Sequence, residues 1–308
     1  MSVEPQVLLR DVSLRDGLQD EAPIPTAAKL AIYGQLVQAG IRELELTSFV
    51  RPDRVPAMAD AEAMAAATAD SEVDPRGPVR WGLVLNLRGA QRALAAGLRH
   101  LQYVVSVSEE HNLANAGRSV DASLAALGQI TELAARSDAT VEVTLSTSFG
   151  CPYAGPVGMG QVIDVAEKAL SVGVGALSLA DTIGTAVPTE VTAMVGSARR
   201  ISGGIPVAVH LHDTRGLGVA NALAAIDAGA DRVDGTVGGL GGCPFAPGAS
   251  GNMAIEDLAH ALDAMGVPTG IDLDELLVAA RMACEAVGRP VQSHVGVAGP
   301  RFARLAVR

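Results

Sequence analysis

Apolar positions along the chain alternate between two patterns. Short runs rich in Val, Leu and Thr lie near Val7–Asp11, Glu43–Thr47, Arg80–Asn86, Leu101–Val107, Thr140–Thr147, Ala176–Ala180, Pro206–His212 and Arg232–Gly235. Between them, apolar residues recur at helical spacing over Ala27–Ala39, Asp121–Arg136, Gly160–Ser171, Glu190–Ile201 and Leu217–Ala228. Gly40, Gly97, Gly173 and Gly229 stand where a helix gives way to the next strand, and a left-handed C-cap favours glycine there. Strands alternating with helices imply parallel strands joined by crossover helices. Eight such units predict a closed (β/α)8 TIM barrel, with an open doubly wound sheet as the alternative. The chain is read as one domain, with the barrel over residues 7–266. A C-terminal helical extension over residues 267–308 carries the helix Leu273–Val287.

In such a barrel the chemistry sits at the C-terminal strand ends, so the polar residues there are read together. The first strand runs into Arg15-Asp16-Gly17. Asp16 reads as a carboxylate metal ligand beside an anion-stabilising guanidinium; a surface ion pair at a turn is the plainer alternative. In the seventh strand, period 2 puts His210 and His212 on one face, where both can reach one cation. The same period places Glu43, Glu45 and Thr47 together. A buried carboxylate is costly unless paired, so Glu45 is expected to face a cation or an arginine. After the eighth strand comes the glycine-rich run Gly238 to Asn252, with Cys243 inside it. Such a run permits close approach to a ligand and can move as a lid. Asn252 ends it, and Glu256 follows one turn later, read as sharing a helix face. Ser106 to Asn112 and Asp181-Thr182 are weaker signals that fit helix capping equally well. Two imidazoles, a carboxylate and an amide oxygen, without thiolate, suit one divalent cation, Mg²⁺ or Mn²⁺, better than Zn²⁺.

Composition narrows the partners. Lys plus Arg is 23 against 34 for Asp plus Glu, a formal charge of −11, which lacks the basic footprint of a nucleic-acid binder. Aromatics at 3% leave little for base stacking. The 3 cysteines are far apart and odd in number, which fits a reducing compartment and a cytoplasmic protein. No apolar run of ~18 residues is present, so no membrane span is expected. Nor does the N-terminus show the apolar core of a signal peptide.

Taken together, Arg15-Asp16-Gly17-Leu18-Gln19, Glu45-Leu46-Thr47-Ser48-Phe49-Val50, Gly150-Cys151-Pro152-Tyr153, Asp181-Thr182-Ile183-Gly184, His210-Leu211-His212-Asp213-Thr214 and the run Gly238 to Asn252 resemble the 3-hydroxy-3-methylglutaryl-CoA (HMG-CoA) lyase family, of the DRE-TIM metallolyase superfamily. The resemblance implies a TIM barrel with one divalent cation held by Asp16, His210, His212 and Asn252. It implies an acyl-CoA substrate, with HMG-CoA cleaved to acetyl-CoA and acetoacetate. It further implies that Arg15 stabilises the thioester enolate, that Cys243 works near the carbanion, that Glu45 belongs to the catalytic group and supports the site, and that Glu256 and Gln19 support it too. Asp16 or His210 would take the hydroxyl proton. A homo-oligomer, taken as a dimer, is expected.

The chemistry is consistent from below. Cleaving a tertiary alcohol next to a thioester requires the hydroxyl to lose its proton as the C–C bond breaks. A cation on that oxygen lowers its pKa, and arginine offers the enolate a charge that is never lost. The family commonly reads RDGLQNEK and SFVSPKWVP; here Gln19 is followed by Asp20-Glu21-Ala22, and Val50 by Arg51-Pro52-Asp53-Arg54. These departures predict a substrate range different from HMG-CoA alone. Two competing readings are an acetyl-CoA-condensing synthase of the same superfamily and a catalytically dead barrel serving as a binding scaffold. The first more often shows His-x-His-Asn-Asp, and retention of every ligand position argues against the second.

Overall fold

Strand residues in this chain are apolar on the face turned toward the helices, and this sets the layering. The computed structural model describes residues 7–69, 77–242 and 251–302. Strands β1 (Leu8–Asp11), β2 (Glu43–Ser48), β3 (Val79–Val84), β4 (His100–Ser106), β5 (Thr140–Ser146), β6 (Ala176–Asp181), β7 (Val207–Leu211) and β8 (Arg232–Gly235) pair in chain order, and β8 closes on β1. The closed barrel is thus the one the alternation predicted, and the open sheet is excluded.

Helices α1 (Thr26–Gln38), α2 (Ala61–Ala67), α3 (Leu87–Ala95), α4 (Glu109–Ala116), α5 (Val120–Ala135), α6 (Met159–Leu170), α7 (Pro188–Ile201), α8 (Gly218–Asp227), α9 (Ile255–Ala264), α10 (Leu273–Val287) and α11 (His294–Ala298) follow in order. They bury Leu36, Ile130, Val195 and Leu258 against the outward strand residues Leu44, Leu101, Val143 and Val209. Each such side chain contributes roughly 1.5–3 kcal/mol by leaving water. Gly40, Gly97, Gly173 and Gly229 all take positive φ, between 83° and 94°. At Gly40 the need is also steric, since a Cβ would lie 2.5 Å from the Gly270 carbonyl oxygen. There the C-terminal extension docks on α1: Asp272 N donates to Ala39 O at 2.9 Å and Gln35 Nε2 to Glu275 Oε2 at 2.7 Å. Among the described residues no helix is long and apolar enough to cross a membrane.

The barrel interior is unusual. Branched apolar side chains normally fill it; here its floor is charged. Arg10, Glu142, Arg232 and Asp234 are all buried. Arg10 grips Asp234 with Nε at 2.9 Å and Nη2 at 2.5 Å, and reaches Glu142 at 2.9 Å. Arg232 pairs with Glu142 and, at 3.1 Å, with Glu43. The Trp81 ring lies 5.3 Å and 5.2 Å from the two guanidinium carbons and donates Nε1 to Glu43 at 3.0 Å. Strand β2 then carries a bulge between Glu45 and Thr47, so that Thr47 pairs with Gly82 while Glu45 pairs with Trp81. One face shared by Glu43, Glu45 and Thr47 was expected. The bulge inserts one residue and turns Thr47 off that face, against Met58 Sδ at 3.8 Å.

Candidate active site

At the C-terminal end of β1 a single π-helical turn, Ser13–Gly17, projects Arg15 and Asp16 over the barrel mouth. The turn is tied down locally. Asp11 accepts from Ser13 N at 2.9 Å and from Ser13 Oγ at 2.8 Å, and Ser13 Oγ accepts from Val237 N at 2.8 Å. Burial pushes the Asp11 carboxyl up to about 7.

Strand β7 delivers the imidazoles. His210 is its penultimate residue, and His212 follows it in an antiparallel bridge to Asn252. Their Nε2 atoms stand 3.2 Å apart, and Asp16 Oδ2 lies 3.7 Å from the first and 3.8 Å from the second. Asp16, His210 and His212 each offer a ligand atom within 4.8 Å of the others. Asn252 Nδ2 donates to Asp16 Oδ2 at 2.7 Å, while its Oδ1 is buried and has no hydrogen-bond partner among the described residues. Two imidazole nitrogens in contact, a carboxylate oxygen and an orphaned amide oxygen form a donor set that a hard or borderline divalent cation fits.

The electrostatics agree. Burial would raise the Asp16 carboxyl, yet Arg15 and the two histidines hold it well below the ordinary carboxylate range, so it is ionised. Burial, reinforced by His210, pushes His212 down to about 4, which leaves a neutral ring with a lone pair at neutral pH. For His210, burial is outweighed by Asp234 and Asp16, and its pKa rises.

Arg15 pairs with Asp16 and reaches Glu45 with Nε at 2.7 Å. Glu45 is fully buried behind it and meets an arginine, as the cost of burying a bare carboxylate demanded. In its better-satisfied orientation the Gln102 amide donates to Glu45 Oε1 and accepts from Arg10 Nη2 at 3.2 Å, linking Glu45 to the charged floor. A cavity of about 610 Å³ opens above this group, with Arg15, Asp16, Gln19, His210 and His212 in its wall and Arg51 and Arg54 at its rim. Cys243 lies outside the described residues.

One placement differs from the expectation. Asn252 precedes α9, which begins at Ile255, so Asn252 and Glu256 do not share a helix face. The Glu256 carboxylate accepts from Gly238 N at 2.8 Å, bracing the turn Val237–Gly239 that leaves β8. Burial raises the Glu256 carboxyl from 4.5 to about 7. A raised folded-state pKa gives stability that is present below about 4.5 and lost as pH rises through about 7, a change of about 3 kcal/mol. Glu256→Gln is therefore expected to gain on wild type between pH 5 and pH 8 in urea unfolding. A difference that stays flat with pH would contradict the assignment.

Asp234 was missed. Its Oδ2 faces His210 Nδ1 at 3.4 Å. The signal was present as two charged residues of opposite sign, Arg232 and Asp234, two apart and so on one face of the short strand Arg232–Gly235.

Comparison with known proteins decides the lineage. The HMGL-like family model matches residues 6–283. The chain belongs to the HMGL-like family. It is 39% identical to the (R)-citramalyl-CoA lyase of Chloroflexus aurantiacus, over 97% of this chain and 96% of that protein. It is likewise 39% identical to the hydroxymethylglutaryl-CoA lyase YngG of Bacillus subtilis, over 94% of this chain and 95% of that one. Among solved structures, an HMG-CoA lyase from Acinetobacter baumannii in complex with coenzyme A and 3-methylmalate superposes with a TM-score of 0.92 at 36% identity, covering 100% of both chains. This HMGL-like protein is an enzyme, a carbon–carbon lyase of the hydroxymethylglutaryl-CoA lyase kind.

Proposed function

We propose that this enzyme cleaves HMG-CoA, or a close 3-hydroxyacyl-CoA analogue, to acetyl-CoA and an oxo acid, using one divalent cation, Mg²⁺ or Mn²⁺. The observation that carries the proposal is the convergence of Asp16, His210 and His212 at the barrel mouth with Arg15 beside them. Asp16, His210, His212 and Asn252 would hold the cation. When bound, it supplies a Lewis acid that lowers the pKa of the substrate hydroxyl.

The chain's own residues account for the remainder. The ionised Asp16 carboxylate, which keeps oxygen lone pairs beyond the one given to a cation, is the base placed to take the hydroxyl proton. As that proton leaves, the C2–C3 electron pair passes to C2, C3 becomes a carbonyl, and negative charge spreads onto the thioester oxygen. Arg15, fixed by Glu45 and Asp16, faces that charge from the cavity wall. The proton that completes acetyl-CoA falls, on the sequence reading, to Cys243.

The test is acetyl-CoA release from HMG-CoA with added Mg²⁺ or Mn²⁺, abolished by chelation. Failure to cleave any ester of a 3-hydroxyacyl-CoA panel would overturn it. Substrate breadth is a separate expectation. The citramalyl-CoA lyase is as similar as the HMG-CoA lyase, and the two acyl groups differ by one methylene. At the rim, Arg51 is held by Asp53 at 3.0 Å where the wider family pattern differs. One methylene can command about 10–200-fold discrimination. Here kcat/KM for HMG-CoA is expected to stay within that lower bound of its best analogue. A larger preference for HMG-CoA would show the rim departures to be neutral.

A further inference from the structure

Below the cavity the barrel floor carries more charge than packing requires. Apolar residues of the same volume would fill it without removing two guanidinium groups and three carboxylates from water. The network also reaches the site above it. Glu43 meets Arg232, Arg232 meets Glu142 and, at 3.5 Å, Asp234, and Arg10 joins Glu142 to Asp234, which it grips with both Nε and Nη2. Of these floor residues Asp234 is the one that faces His210, whose Nδ1 lies 3.4 Å from its Oδ2. His210 Nε2, on the far side of the ring, is the atom that faces Asp16 and His212.

A ring nitrogen that donates to a carboxylate fixes the tautomer and leaves the other nitrogen as the lone-pair donor. We infer that Asp234 is a positioning residue for the cation site: it accepts from the His210 Nδ1–H, which keeps the proton on Nδ1 and aims the Nε2 lone pair at Asp16 and His212, and it is itself locked by the two-pronged grip of Arg10. Arg10 thus acts on the site through two intermediaries without touching substrate. The inference rests on the divalent-cation reading proposed above.

The test is Mn²⁺ titration of the metal-free protein by calorimetry, with folding checked by circular dichroism. Asp234→Asn keeps the side-chain volume and removes the charge that orders both Arg10 and His210. It is expected to weaken Mn²⁺ binding by about 10–100-fold, the usual cost of losing a carboxylate behind a ligating histidine. Glu43→Gln disturbs the same network at its far end, where it meets Arg232 and Trp81 but not His210. Its Mn²⁺ affinity is expected to stay within about threefold of wild type. If Asp234→Asn does not fold, Arg10→Lys carries the test, since lysine keeps the charge and gives up the two-pronged grip; a severalfold weaker affinity is expected. Equal affinity for wild type and Asp234→Asn, or for wild type and Arg10→Lys, overturns the inference. So does an equal loss in Glu43→Gln and Asp234→Asn, which would make the floor merely structural. No Mn²⁺ binding by wild type would overturn the cation reading itself and this inference with it.

Discussion

His212→Ala is expected to abolish Mn²⁺ binding in calorimetry and to cost about 10³-fold or more in kcat, while the barrel stays folded. The separation of the two effects follows from what the ring touches. Among the described residues His212 Nδ1 has no hydrogen-bond partner, and its Nε2 meets His210 Nε2 and Asp16 Oδ2. Its backbone bridge to Asn252 survives truncation. Removing the ring therefore breaks no interaction that holds strands together, and it deletes one of three converging ligand atoms. Asp16→Ala is expected to give the same loss of Mn²⁺ with a larger structural effect, because Arg15 and Asn252 Nδ2 both lose a partner. Unchanged Mn²⁺ affinity in both variants would sink the cation site. So would full activity of His212→Ala after exhaustive chelation.

The sequence made this pair of histidines legible because strand periodicity is local: two residues apart on β7 means one face, whatever the rest of the chain does. Glu45 was legible for an energetic reason, since a buried carboxylate must find a cation, and it found Arg15. Thr47 was not, because a bulge depends on how β2 registers against β3, and that is settled between strands rather than within one. The spacing of Asn252 and Glu256 misled for a related reason. An i+4 pair shares a face only if both residues are helical, and α9 starts three residues after Asn252. The charged floor joins residues from five strands, Arg10, Glu43, Trp81, Glu142 and Arg232 with Asp234. They lie far apart along the chain, and only barrel closure makes them neighbours.

Arg15→Gln is expected to lower kcat by about 10²–10³-fold with little change in KM, the usual cost of deleting one fixed donor to a developing oxyanion. The complication is stability. Arg15 is buried, and burial alone would work against its charge; Asp16 and Glu45 more than offset this and raise its pKa. Take the guanidinium away and Glu45 is left as a buried carboxylate with less compensation, a defect that typically costs about 3–5 kcal/mol. A fall in activity could then reflect a weakened fold. The double variant Arg15→Gln with Glu45→Gln separates the two. Neutral amides at both positions can hydrogen-bond to each other, so the stability lost in Arg15→Gln should largely return. The rate should not, because no positive charge faces the thioester oxygen in either protein. Arg15→Lys should fall between, since it keeps the charge but loses the planar fork that Glu45 and Asp16 hold. If the double variant regains kcat along with stability, or if Arg15→Gln stays within about threefold of wild type, under ~1 kcal/mol of barrier, Arg15 supports the fold and does not stabilise the enolate.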